Sequence, residues 1–457
     1  MHQRVFCGTI FEAPEPNRLS VLKNALILVN SDGVIEKVLS RTEHPDEYDR
    51  LLSVAKAEHS LTELSCGQYF MPGFVDLHVH APQWPQLGKA MDCPLELWLH
   101  KYTFPLEAKY SDIEFAAKAY NSLVEALLAN GTTCVAYFAT AHVESSLLLA
   151  KICLEKGQRA VVGRVALDLP SECPEYYRDP SPQESVALSE RFIREMQTLP
   201  GNELKLVLPA VIPRFIPTSS HEALIGLGKL VQRYGCHVQT HCSESDWEHH
   251  HVIARYNKHD AFALDDFGLL TRQTVLAHSV FLSDEDMDLV KHRGSAVAHC
   301  PLSNIYFSNA VFPLAAALRK GLHVGLGTDI SGGHSASIFD AMRFSMSSSR
   351  LLASGINPNL PREERSTYDP STTSIDHLTA FYAATTMGGI SLDLKVGRLM
   401  PGYFFDAVVV DTTLKHGGIH IFKELDNDED IFQKIILTAS PSNIVRTYVS
   451  GRTVYKA

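Results

Sequence analysis

Two imidazoles spaced two residues apart, His78 and His80, end an apolar and largely β-branched run, Phe70-Met71-Pro72-Gly73-Phe74-Val75-Asp76-Leu77-His78-Val79-His80. Side chains alternate faces along a strand, so a strand over residues 70–80 projects both rings to one side, close enough to share a metal ion. Other candidate strands end in groups of the same character: His241, His278 and Asp329. Imidazoles with a carboxylate suit Zn²⁺, with Fe²⁺ or another divalent ion as the alternative, and disfavour an all-oxygen Mg²⁺ or Ca²⁺ site. One histidine closing an apolar strand is more often structural. Five such groups at equivalent places are explained together by one metal centre.

Other metal signatures do not compete. Glu248-His249-His250-His251 is out of register with H-E-x-x-H and reads as a solvated helix surface. The nine cysteines form no C-x-x-C pair, and the P-C-x-x-C of the cysteine-ligated nucleobase deaminases is absent. They read as buried or incidental thiols.

Something must bring these distant groups together. Between residues 70 and 395, short apolar runs alternate with capped helical segments. The predicted strands cover residues 70–80, 133–140, 160–168, 204–215, 237–241, 274–280, 296–300 and 323–329. Helix starts are predicted at the Ser-x-x-Glu pairs Ser111/Glu114, Ser181/Glu184 and Ser219/Glu222, and stops at Asn130-Gly131, Gly235 and Gly294. Eight β/α alternations imply a distorted (β/α)8 TIM-like barrel, whose chemistry sits at the C-terminal ends of its strands. All five groups fall at those exits. Residues 1–69 and 396–457 share a different texture of short β runs and turns, and are predicted to form a small β-sandwich domain that the barrel interrupts.

With 457 residues and a formal net charge of -11, the chain has no basic stripe for a phosphate backbone, and nucleic acid is excluded as a partner. No run approaches the ~20 apolar residues of a membrane span, and no targeting segment opens the chain, so a cytoplasmic protein is expected.

Pro72-Gly73-Phe74-Val75-Asp76-x-His78-x-His80, with the distant histidines and Thr328-Asp329, resembles the amidohydrolase superfamily, whose members hydrolyse amides, amidines and ring C–N bonds with a metal-activated water. His80-Ala81-Pro82-Gln83, Trp98 with Lys101-Tyr102-Thr103-Phe104-Pro105, Asn130-Gly131-Thr132-Thr133, Pro213-Arg214-Phe215, Ala298-His299-Cys300-Pro301-x-Ser303-Asn304 and Gly325-Leu326-Gly327-Thr328-Asp329 narrow the resemblance to the guanine deaminases within it. That resemblance implies one zinc per chain, iron being possible, on His78, His80, His241 and Asp329. It implies catalysis by Glu244, His278 and Asp329, with Glu244 and His278 also touching a small purine held by Gln83, Arg214 and Phe215. It further implies a homodimer. Siblings acting on 8-oxoguanine, a pterin or an aminotriazine share the chemistry, and a non-catalytic amidohydrolase-like scaffold is the alternative of another class. Two places depart from the family pattern: Glu96-Leu97 stands where Leu-Glu is usual, and Ala439-Ser440-Pro441-Ser442-Asn443 replaces an acidic Gly-Asp-Asp-Arg-Asn.

Overall fold

The computed structural model describes residues 4–457. Eight parallel strands follow one another around a nearly closed barrel: β1 (Phe74–His80), β2 (Thr132–Phe138), β3 (Arg159–Ala166), β4 (Val207–Pro213), β5 (His237–Cys242), β6 (Thr274–His278), β7 (Ala296–His299) and β8 (His323–Leu326). Each is hydrogen-bonded to the next in sequence order. The first and last are joined just beyond β8, where the Asp329 N–H donates to the His78 carbonyl at 2.9 Å and the His80 N–H to the Ile330 carbonyl at 3.0 Å. The bonds that close the barrel therefore also seat Asp329 beside the two histidines of β1.

A second, mixed sheet is built from both ends of the chain. Its order runs Arg452–Lys456, Ile444–Val449, Ala407–Asp411, Gln68–Pro72, Arg4–Glu15, Arg18–Val29 and Ile35–Leu39, with Leu61–Glu63 added alongside Arg4–Glu15. The N- and C-terminal contributions meet where Gln68–Pro72 pairs antiparallel with Ala407–Asp411. Between the arms of this sheet lies an aromatic cluster in which Phe6 stacks on Phe405 at 4.1 Å and meets Phe70 and Tyr448 edge-on.

The run from Phe70 to His80, expected as one strand, is two. Gln68–Pro72 belongs to the terminal sheet and Phe74–His80 to the barrel. Gly73 is the crossing point: its N–H donates to the Asp406 carbonyl at 2.9 Å, and a Cβ there would lie 2.2 Å from Thr133 Oγ1. Only glycine permits that approach. Helix starts shift for local reasons too. Asp112, not Ser111, caps the helix Ile113–Ala129 because its carboxylate accepts from both Glu114 N and Phe115 N. Ser220, not Ser219, caps His221–Tyr234 by accepting from Ala223 N. Ser181 caps its helix as expected, and Gly235 and Gly294 end theirs in the left-handed region.

Barrel and terminal sheet are pinned by a buried ion pair. Arg159 at the start of β3 donates to Asp406 from Nε at 2.9 Å and Nη2 at 3.4 Å, and the Ser450 N–H donates to the same carboxylate at 2.7 Å. Removing one partner of such a pair strands a buried charge, so Asp406→Asn is expected to lower the unfolding free energy by about 3–5 kcal/mol. A shift of the denaturant midpoint checks this.

Candidate active site

Four strand exits converge on one buried cluster. His78 and His80 project from β1 to the same face, their ring centroids 4.8 Å apart. His241 near the end of β5 lies parallel to His80 at 5.0 Å, and His278, closing β6, lies parallel to His241 at 5.4 Å. Asp329 stands three residues past β8. The backbone is bent hard at these exits: Ser243, His278, Ser279 and Asp329 all adopt positive φ without being glycine. Such conformations cost roughly 1–3 kcal/mol each and persist where the surrounding structure holds functional groups in place.

The second nitrogen of each ring decides what the first can do. His241 Nδ1 lies 2.6 Å from the Arg214 carbonyl, His78 Nδ1 3.1 Å from Gln239 Oε1, and His278 Nδ1 3.0 Å from Asn304 Oδ1. All three neighbours are acceptors, so each Nδ1 carries the proton and each Nε2 presents a lone pair. Those lone pairs face inward. His78 Nε2 lies 3.2 Å from Asp329 Oδ1, His80 Nε2 3.6 Å from the same oxygen, and His80 Nε2 2.9 Å from His241 Nε2. A proton on His80 Nε2 would satisfy His241 alone. His78 Nε2 and His278 Nε2 are buried with no hydrogen-bond partner among the described residues. Convergent imidazole lone pairs around a carboxylate fit a divalent cation, and the nitrogen and oxygen donor set fits zinc.

Electrostatics agree with that protonation. Burial, followed by the neighbouring imidazoles, holds His80 and His241 well below the usual histidine range, and burial lowers His278. Burial would raise Asp329, but His78, His278 and His80 outweigh it and keep the carboxylate ionised. Glu244 moves the other way. Burial first, then the Asp329 charge, pushes it up to about 8. Its Oε1 lies 3.6 Å from His278 Nε2.

A cavity opens directly onto this cluster. Gln83, in the 3-10 turn that continues β1, Arg214 and Phe215 just past β4, and Glu244 line it with Trp98 and Phe307. The structure thus brings together every residue singled out in the sequence as a ligand, proton carrier or substrate contact. The Glu96-Leu97 departure points outward: both are exposed, while Leu95 and Trp98 on either side face the cavity.

The amidohydrolase family model matches residues 69–454. The chain belongs to the amidohydrolase family. Its relatives include guanine deaminase of Dictyostelium discoideum, 33% identical over 99% of this chain and 98% of the relative. Guanine deaminase of Homo sapiens is 34% identical over 98% and 96%. Among solved structures, guanine deaminase from C. acetobutylicum, crystallised with guanine in its active site, superimposes with a TM-score of 0.87 at 31% identity, covering 99% of this chain and 100% of the other.

Around the proposed ligands of this amidohydrolase stand residues that the sequence alone does not single out. Gln239 orients His78; it sits two residues before His241 on the same strand face, and that alternation is the signal that could have found it. Asn304 orients His278. Asp76 accepts from Thr328 N at 3.0 Å, Thr328 Oγ1 at 2.5 Å and His78 N at 3.3 Å, tying β1 to the turn that carries Asp329. Burial raises its carboxyl to about 6. Glu107 is fully buried and joins Gln83 to Arg214.

The solvated-surface reading of residues 248–251 needs correction. His250 is exposed, but Glu248 is completely buried and accepts the Glu244 N–H at 2.7 Å. His249 Nδ1 lies 3.1 Å from Asp260 Oδ2, whose other oxygen accepts the Ser243 N–H at 3.1 Å. The helix Asp246–Tyr256 lies behind the Ser243-Glu244 turn, and its inward face must satisfy that turn's backbone.

Proposed function

We propose that this amidohydrolase is a zinc-dependent guanine aminohydrolase, converting guanine and water to xanthine and ammonia. The observation that carries the reading is the convergence of His78, His80, His241 and Asp329 beside Glu244 and His278 at the floor of a cavity walled by Gln83 and Arg214. The guanine deaminases that match nearly the whole chain supply the substrate.

His78, His80, His241 and Asp329 would hold the ion. A bound zinc supplies Lewis acidity, lowering the pKa of a water from 15.7 toward ~7. The residues do the rest. Asp329 accepts the proton that water gives up, and His278, its Nε2 lone pair free and 3.9 Å from Asp329 Oδ2, accepts a hydrogen bond from that water and aims it at C2. Glu244 gives the proton it carries to the adjacent ring nitrogen, takes from Asp329 the proton that water gave up and passes it to the departing amine. Water's oxygen stays on C2; as the C2–N bond breaks and the C2 hydroxyl becomes the carbonyl, the hydroxyl's proton goes back to Glu244, so both carboxyl groups end as they began. Gln83 and Arg214 hold the purine edge, with Phe215 as an apolar wall.

No helix among the described residues is long and apolar enough to cross a membrane. The reading includes a cytoplasmic enzyme, homodimeric by family resemblance, that needs no nucleic-acid or membrane partner. Purified protein is expected to consume guanine with stoichiometric xanthine and ammonia. Inactivity on guanine with turnover of 8-oxoguanine, a pterin or an aminotriazine would select a sibling reaction, and inactivity on every amino-heterocycle with no bound metal would select the scaffold.

A further inference from the structure

Gln83 and Arg214 do not meet the cavity independently. Glu107 lies behind the cavity wall, completely buried, and both of its carboxylate oxygens are engaged: Oε1 accepts from Gln83 Nε2 at 2.9 Å and Oε2 from Arg214 Nη1 at 2.7 Å. The other end of the Gln83 amide is also occupied, because the Ser331 N–H donates to Gln83 Oε1 at 3.1 Å. A glutamine can in principle turn either end toward a ligand. Here a flip would set NH2 against the Ser331 N–H and the amide oxygen against a carboxylate, two repulsive contacts in a buried place. The amide is therefore locked: Nε2 keeps one hydrogen as a fixed donor, and one of the two lone pairs of Oε1 is taken by Ser331. Arg214 has nothing but donors to offer, and its guanidinium lies 5.2 Å over the Phe104 ring, which limits its swing.

We infer that Glu107 is a positioning residue that sets the hydrogen-bond polarity of the base pocket. By anchoring Gln83 and Arg214 together it fixes their remaining N–H groups as the donors of the recognition wall, so the site favours a purine edge that presents acceptors over one bearing an exocyclic amine. This inference rests on the guanine reading and deepens it. Guanine offers its C6 oxygen and N7 as neighbouring acceptors. 2,6-Diaminopurine carries the same reacting amine at C2 but replaces that oxygen with NH2. Against a locked donor wall the amine leaves buried donors facing a donor, the kind of mismatch that a site built for hydrogen bonding rejects strongly.

Steady-state kinetics on guanine and 2,6-diaminopurine test the proposal. Wild-type kcat/KM is expected to favour guanine by at least ~10³-fold, in keeping with hydrogen-bond-based rejection. In Glu107→Gln the anchoring charge is gone and the new amide can donate to a turned Gln83 Oε1, leaving the Ser331 N–H as the one contact that opposes the flip. The preference is expected to shrink by roughly 30-fold or more, chiefly through a raised guanine KM with kcat within about tenfold, since the lost contacts bind rather than react. Gln83→Met leaves the Arg214–Glu107 pair intact and so avoids unpairing a buried charge; it is expected to narrow the preference in the same direction. Parallel loss of both substrates in the folded variants, or an unchanged ratio, would overturn the role of Glu107 while leaving guanine as the substrate. A wild-type protein inactive on guanine would overturn the substrate reading, and this inference with it.

Discussion

Glu244→Gln is expected to lower kcat on guanine by ~10²–10⁴-fold, the usual contribution of a positioned proton carrier, while metal content and guanine KM stay close to wild type. The expectation comes from how the residue is held. Its N–H donates to Glu248, and the Ser308 hydroxyl donates to its carbonyl, so the backbone is clamped on both sides. Its carboxyl group has no hydrogen bond among the described residues and faces the cavity, 3.6 Å from His278 Nε2. A buried carboxyl raised to about 8 carries its proton at neutral pH, ready for a ring nitrogen that becomes basic as C2 is attacked. Glutamine keeps the shape and one donor but cannot release or recapture a proton. Because the side chain lies outside the proposed ligand set, zinc measured by elemental analysis should remain near one per chain. Turnover within tenfold of wild type would remove Glu244 from the chemistry.

The strand exits are legible in the sequence because barrel geometry places chemistry there, and His78, His80, His241, His278 and Asp329 each close or follow a predicted strand. What the sequence does not reveal is what those residues lean on. Glu107 meets Arg214 across 107 positions and Gln239 meets His78 across 161, pairings that only the closed barrel creates. Glu248 misleads for a related reason. In a polar stretch beside three histidines, nothing local marks the one side chain that turns inward to a backbone N–H. The strand boundary at Gly73 is hidden by its apolar neighbours, since Phe70 and Phe74 are both buried but in different cores. Periodicity reports that a residue is buried, not which sheet buries it.

Asp329→Asn is expected to reduce kcat/KM by on the order of 10⁴-fold, because it removes a proposed ligand and the acceptor of the water's proton at once. Asparagine is the conservative probe here. It tolerates the positive φ of 48° at this position, and the backbone bond from residue 329 to the His78 carbonyl does not involve the side chain. The replaced carboxylate is a buried anion against His78 Nε2 and His80 Nε2, and asparagine keeps its shape and one oxygen there while removing a charge that burial disfavours. The metal-free variant should therefore melt no lower than the metal-free wild type. The difference should show with metal added. Ligands that bind only the folded state stabilise it by RT ln(1 + [L]/Kd), so zinc is expected to raise the melting temperature of chelator-stripped wild type and restore its activity, with little effect on the variant. A variant that keeps one zinc per chain and near-normal turnover would exclude Asp329 from the metal centre. One that keeps zinc but loses turnover would separate the two roles, leaving Asp329 as proton acceptor and His78, His80 and His241 as ligands enough.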